Sequence, residues 1–481
     1  MNSHDDGKTG SRGVRRFATG WAAAVALLIG CGGGSSTRTD TGVDSGAPET
    51  MTDVATDTGG GDTASACPTG GSGQLVLAVS GLDTGVVPMV RLNGGGLTTP
   101  MTLTAGTAVT VPAGPNYAVE WLRVKTAPAA DSIVGKAFYV SASSFDGCVK
   151  SGASVTATLT YTQEPGSGKA WITVSNAVTF GNEIAGYDGT QLVASGKKDP
   201  TVWKMKNFTG HGGGGAVDWS GNLWVPGGDR INRYDMLTLG TSSDAAPTVT
   251  ITQPAAATAN FAAFDNNANL WVTRGAPTTD HSVVRYSPDD LAASGAPTPA
   301  VVLTSSDLMN PSGLAFDAAG NLWVASEGNG KVVKFSLAHL AASYNGPGDV
   351  VLTAQSGPEA VPVPSAPYTN PIPLAFDSTG NLWVGFLSAL VQFPVAQLAV
   401  TATLTGPLAL NVATLTLAFD EGGGLWTGAP VGVGKFQHLT LLAMARGGDI
   451  TPNIVIDSDQ LGDLEQLVLN PAPTWSTLHD W

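Results

Sequence analysis

The sequence predicts an all-β protein, a six-bladed β-propeller preceded by a small β-sandwich, on three observations. The first is a repeat. Near-copies of Asp317-Ala318-Ala319-Gly320-Asn321-Leu322-Trp323-Val324 centre on Trp224, Trp271, Trp323, Trp383 and Trp426, with a degraded copy at Trp171, at separations of 43 to 60 residues. Such periods suit four-stranded blades and are too β-rich for a helical solenoid. The second is composition: only 13% of the 481 residues are charged, while Gly (62) and Pro (30) abound, as short strands joined by many turns require. The third is alternation, with Val155, Ala157, Leu159 and Tyr161 on one face of an extended run and threonines opposite.

At the N-terminus, Lys8, Arg12, Arg15 and Arg16 precede an apolar run from Phe17 to Gly30 that is too short for a bilayer, so residues 1–30 read as a signal peptide. Leu28-Ile29-Gly30-Cys31 resembles a bacterial lipobox, which implies a diacylglycerol on Cys31 and a membrane as partner through that lipid. Residues 31–73 are Gly, Ser, Thr, Asp and Ala with almost no large apolar side chain, so they cannot offset the entropy of folding and read as a disordered tether. Its carboxylates repel one another and extend it beyond the roughly 35 Å of a flexible coil.

Residues 74–162 hold six strand-like runs, Leu75 to Val79, Val87 to Leu92, Ala108 to Val111, Tyr117 to Val124, Ala137 to Ala142 and Val155 to Tyr161, the β-sandwich. It reads as a spacer, with a ligand-binding module as the alternative. Cys67 and Cys148 flank it, before its first and last strands, and an exported chain predicts a disulfide between them rather than two free thiols.

Residues 163–481 form the propeller. The segment ending in the repeated aspartate (Asp218, Asp265, Asp317, Asp377, Asp420) is the innermost strand A, Asp-x-x-Gly-Asn is the A–B turn, and Leu-Trp-Val is strand B. The carboxylate is expected to accept backbone N–H bonds and the indole to fill space between blades. Strand C ends on an aromatic residue, Tyr187, Tyr234, Tyr286, Phe335, Phe393 or Phe436, and a short helical turn leads to strand D. The Trp171 copy lacks strand A, and residues 464–470 have the pattern to supply it, with Asn470 in the aspartate's place. That strand would close the ring and hide an edge.

A net charge of −15 offers no basic face, which argues against nucleic acid as a partner. The repeat resembles NHL-type propellers and the related SMP-30/gluconolactonase-like propellers, over about residues 168 to 470. In the lactonases of that group, Glu, two Asn and an Asp near the start of strand A hold a divalent metal. The resemblance places Glu465, Gly213, Asn260, Ser312, Ile372 and Leu415 at those positions. Two oxygen ligands, Glu465 and Asn260, are too few for a dedicated cation site, so no metal and no cofactor are expected. Streptogramin lyases are similar too, but resemble seven-bladed rings with His and Glu at the mouth.

Binding is expected on the top face, opposite the Asp-x-x-Gly-Asn turns, where the D–A and B–C loops gather. His211, Asn310, Asn370 and Asp463 all stand seven residues before the turn position and form a candidate polar collar, with turn capping as the plainer reading. Asn260 and Glu465 complete the candidate ligand-binding set. Asp280-His281, Glu327 and the proline-rich loop from Ala354 to Thr369 lie on the same face. The sequence thus predicts a lipid-anchored protein of the bacterial cell envelope, in the outer membrane and facing periplasm or surface. It would present a propeller as a non-enzymatic scaffold for a protein or glycan ligand, with a divergent hydrolase or lyase of the lactonase or streptogramin-lyase kind as the alternative.

Overall fold

The computed structural model describes residues 67–473, apart from 176–181, 205–213, 256, 276–279, 357–366, 387–388, 406, 413, 429–434, 440–450 and 462. The signal peptide, Cys31, most of the tether, His211 and most of the 354–369 loop therefore lie outside the described residues.

Between Ser72 and Gln163 eight strands form two sheets. In the larger, Ser72–Ser80 lies between antiparallel Ala108–Pro112 and parallel Ser154–Gln163. The smaller pairs Val90–Gly94 with Met101–Leu103 and with Tyr117–Trp121. Leu75, Leu77, Leu159 and Tyr161 from one sheet meet Val90, Leu92, Tyr117 and Val119 from the other in a single core. Met101–Leu103 was not among the expected strands, because three residues are too few to display alternation. Cys67 and Cys148 are disulfide-bonded, which ties residue 67, inside the expected tether, to the sandwich.

The remaining strands form six further sheets among the described residues, one per tryptophan copy. In the Trp323 sheet, strands A to D are Pro311–Phe316, Leu322–Ser326, Lys331–Phe335 and Val350–Gln355, each antiparallel to the next. The Trp171 sheet takes its strand A from the far end of the chain: Asp463–Asn470 pairs antiparallel with Lys169–Ser175. The six A strands touch in chain order, and Asp463–Asn470 contacts both Leu417–Phe419 and Ala216–Val217, which completes a cycle. In strand C of the Trp426 sheet the aromatic position is held by Leu439, which pairs with Leu425, whereas Phe436 pairs with Gly428. The expected Phe436 is thus three residues out of register.

The repeated residues build one clasp. Asp317 accepts hydrogen bonds from the backbone N–H groups of Ala319 and Asn321, from the Asn321 side chain and, at 3.0 Å, from the Trp323 indole. Asp218, Asp265, Asp377 and Asp420 hold their indoles at 2.8 to 3.1 Å. Four of these indoles, Trp224, Trp271, Trp323 and Trp383, then meet an aromatic ring of the next sheet edge to face, as Trp323 meets Phe376 at 6.3 Å and Trp271 meets Phe316 at 6.2 Å. On its strand C side the indole carries a cation, Arg233 over Trp224, Arg285 over Trp271 and Lys334 over Trp323. In the Trp426 sheet Gly424 replaces the clasp asparagine. His438 fills that space, with Nε2 2.7 Å from Asp420 and its ring against Trp426.

A second repeated device ties the outer edges. In the link between strands C and D a buried leucine is followed three residues later by Ser or Thr, at Ser195, Ser242, Ser294, Ser343 and Thr401. Each hydroxyl accepts, at 3.0 Å, the backbone N–H of a strand D residue of the preceding sheet: Val455, Trp203, Thr250, Val302 and Val351 respectively. These bonds occupy edge donors that would otherwise template association.

The two parts of the chain dock on each other. Glu164, in the expected linker, is fully buried and forms a bidentate pair with Arg123 at 2.6 and 2.8 Å, and Arg123 also donates to Asn470 Oδ1 at 3.0 Å. Asn470 and Trp171 both donate to the Gly166 carbonyl, so sandwich, linker and closing strand share one polar knot.

Candidate functional site

The candidate positions five residues before the turn sit at β-bulges. The strand A–strand B register shifts between Ala259 and Ala262, between Pro311 and Leu314, and between Leu464 and Gln466, which puts Asn260, Ser312 and Glu465 at the irregularities. Bulges re-aim side chains, which makes these positions able to present groups at the ring's end. Two of them are spent otherwise. Asn260 Nδ2 donates to the Pro311 carbonyl at 3.3 Å, and Ser312 Oγ donates to the matched Pro371 carbonyl at 3.0 Å, so each ties its strand to the next sheet. Ile372 and Leu415 offer no ligand atoms. Asp463 and Glu465 lie on the closing strand.

The collar asparagines are brought together. Asn310 and Asn370 both adopt left-handed backbone, with φ of 51° and 56°, at the ends of the D–A loops of consecutive sheets. Between them stands Glu327, which opens a 3-10 turn directly after strand B. Its carboxylate accepts a hydrogen bond from Asn310 Nδ2 at 2.7 Å and another from the Asn370 side chain. Burial pushes the Glu327 pKa above its ordinary value, against the opposing effect of the Asn370 bond. The Asn310 backbone N–H in turn donates to His281 Nδ1 at 3.2 Å. A Cβ on Gly275 would meet Asn310 Oδ1 at 2.4 Å and Asn260 Nδ2 at 2.8 Å, so only glycine lets these amides converge.

Asp280 and His281 do not act as a dyad. Asp280 lies 3.5 Å from the buried guanidinium of Arg274, which also donates to Gln253 and to the Tyr286 hydroxyl, while His281 serves Asn310. Tyr368, at the end of the proline-rich loop, returns to the base by donating its N–H to the Ala354 carbonyl and packing on Phe386. Among the described residues no group of three or more His, Cys, Asp or Glu is placed to hold a metal ion. What the cluster can do is hydrogen bond, with a partly buried carboxyl between two amides, to hydroxyl or amide groups of a ligand. Glu327 was placed on the loop face by the sequence although it has no counterpart in the other copies, and the structure sets it between the two asparagines. The acidic residue directly after strand B was its only signal.

A cavity of about 660 Å³ lies elsewhere, lined by all six A strands, by turn residues such as Asp317, Ser378 and Gly380, and by Arg123 and Pro473.

No family model matches the chain, and no curated protein matches it. Among solved structures it is similar to a protein of unknown function from Bacteroides caccae, at 12% identity over 63% of this chain and 98% of that one, with a TM-score of 0.42. A putative gluconolactonase matches at 15% identity, 57% and 86% coverage and a TM-score of 0.32. A streptogramin B lyase matches at 12% identity, 70% and 94% coverage and a TM-score of 0.32. The neighbours are all-β propeller proteins, and likeness at this level carries no argument about activity.

Proposed function

We propose that this chain is a lipid-anchored scaffold of the bacterial cell envelope, in which the six tryptophan sheets form a six-bladed β-propeller of NHL or SMP-30-like kind. Its top face binds a protein or glycan. The membrane is met through the lipid on Cys31, and the acidic tether holds the folded part away from it. The closed cycle of A strands supports the blade count. The single observation that carries the binding reading is the Asn310–Glu327–Asn370 cluster. It presents hydrogen-bonding groups from two consecutive sheets on the loop face, while the neighbouring positions that would hold a metal tie strands together instead.

A pulldown from envelope extract tests it. Glu327→Ala with Asn370→Ala should lose partners that the parent chain captures, and Ser378→Ala with Thr379→Ala, on the turn face, should keep them. Partner capture that survives the first pair and fails with the second overturns the assignment. Calorimetry with calcium or zinc separates the hydrolase or lyase alternative: stoichiometric uptake abolished by Glu465→Ala would favour it.

A further inference from the structure

The end of the closing strand carries an inference independent of the loop face. Asp463–Asn470 delivers the chain to the cavity lined by the A strands, where Ala472 and Pro473 form part of the wall. Lys125, on the sandwich, fixes that exit by donating from Nζ to the Ala472 and Pro473 carbonyls at 3.3 and 3.2 Å. The wall they join is mainly apolar, with Ala263, Ala315, Ala375, Ala418 and Val468 each contributed by a different sheet. The four charged residues in the lining are committed elsewhere: Arg123 to Glu164, Lys334 to the face of Trp323, and Asp317 and Asp377 to their indoles. What the wall offers is therefore apolar contact, and exposed Ala318 and Val395 carry it to the surface.

The chain that follows supplies an occupant of matching chemistry. Thr474-Trp475-Ser476-Thr477-Leu478-His479-Asp480-Trp481 carries large apolar side chains at every third position, Trp475, Leu478 and Trp481. Only 7% of the whole chain is aromatic, so two indoles in so short a segment mark it as one that gains by burial. Trp475 stands two residues past Pro473, roughly 7 Å of extended chain, and the full segment can reach about 27 Å. Tethered at the wall, it meets the cavity at an effective concentration in the millimolar range, so contacts too weak to join separate molecules suffice.

We propose that residues 474–481 turn back onto this cavity, with Trp475 seated against the alanine wall and Leu478 and Trp481 covering the apolar surface at Ala318 and Val395. The segment latches the strand that closes the ring: Arg123 and Lys125 hold its end from the sandwich side, and the tryptophans hold it from across the cavity.

Chymotrypsin digestion of the full chain, with cleavage after Trp475 followed by mass spectrometry, tests this. Cleavage should become about tenfold faster in Ala318→Glu with Val395→Glu, and in Ala375→Leu, as the open segment becomes the main form. The first pair alters exposed side chains, so cooperative melting should be retained. Ending the chain after Pro473 should raise the fluorescence of added anilinonaphthalenesulfonate, and the synthetic peptide 474–481 should reverse that rise. Equal cleavage rates in the parent and in both variants, or a rise in dye fluorescence that is absent or not reversed by the peptide, overturns the proposal. Protection that fades on dilution of the parent assigns the cavity to the segment of a second copy and overturns the latch within one chain.

Discussion

Replacing Asp317 by Ala should break the clasp of the Trp323 sheet, and the structure allows the cost to be worked out. Five hydrogen bonds converge on the carboxylate. The Ala319 N–H is exposed and the Asn321 side chain is partly so, and water replaces the aspartate at both. Two donors are not so served: the indole N–H of fully buried Trp323 and the partly buried Asn321 backbone N–H. Each stranded donor costs about 1–3 kcal/mol, so the substitution should destabilise by roughly 4 kcal/mol. For a chain this large that is a fall in Tm of roughly 5 °C. Asp317→Asn keeps an acceptor for the backbone N–H groups but turns an amide against the indole and Asn321, so about half the loss is expected. Urea unfolding followed by tryptophan fluorescence and circular dichroism measures both. A loss under about 1 kcal/mol for Asp317→Ala, or an equal loss for Asn and Ala, would show that the carboxylate does not hold the indole in place.

Ala268 adopts φ of 59° where the other four turns have glycine, so Ala268→Gly should stabilise the chain by roughly 1 kcal/mol, read as a rise in urea midpoint at constant slope. Arg123→Ala removes the bidentate guanidinium from the buried Glu164 carboxylate and should cost about 3–5 kcal/mol, with limited proteolysis cutting the junction near residues 163–168 earlier than in the parent. Glu327 has a folded pKa above its unfolded value, so its ionisation opposes folding. Stability should rise as pH falls from neutral toward roughly 4.3, and Glu327→Gln should flatten that rise in thermal melts across the same window. Asp377 runs the other way: burial raises its pKa, but the Trp383, Thr379 and Asn381 donors outweigh it and hold the pKa below the ordinary carboxylate value. Its contribution is present above the unfolded value and lost as pH falls through the lower folded one, so Asp377→Asn should lessen the loss of stability in acid.

The sequence by itself determined the local grammar of this protein. Aspartate, asparagine and tryptophan at fixed short offsets specify a turn, its donors and an indole packed beside it, because every partner lies within six residues. The closing strand was legible for a related reason: the Trp171 copy lacks a strand A, and 464–470 is the segment with that pattern left over. The Leu-x-x-Ser/Thr edge tie was equally present as a repeat, yet its purpose appears only when strand D of the preceding sheet lies alongside. Tertiary structure alone decided the rest. Arg123 meets Asn470 across 347 residues, and Glu327 finds two asparagines from separate loops. Neither is encoded by spacing, since each depends on where closure of the ring brings segments that have no sequence relation to one another.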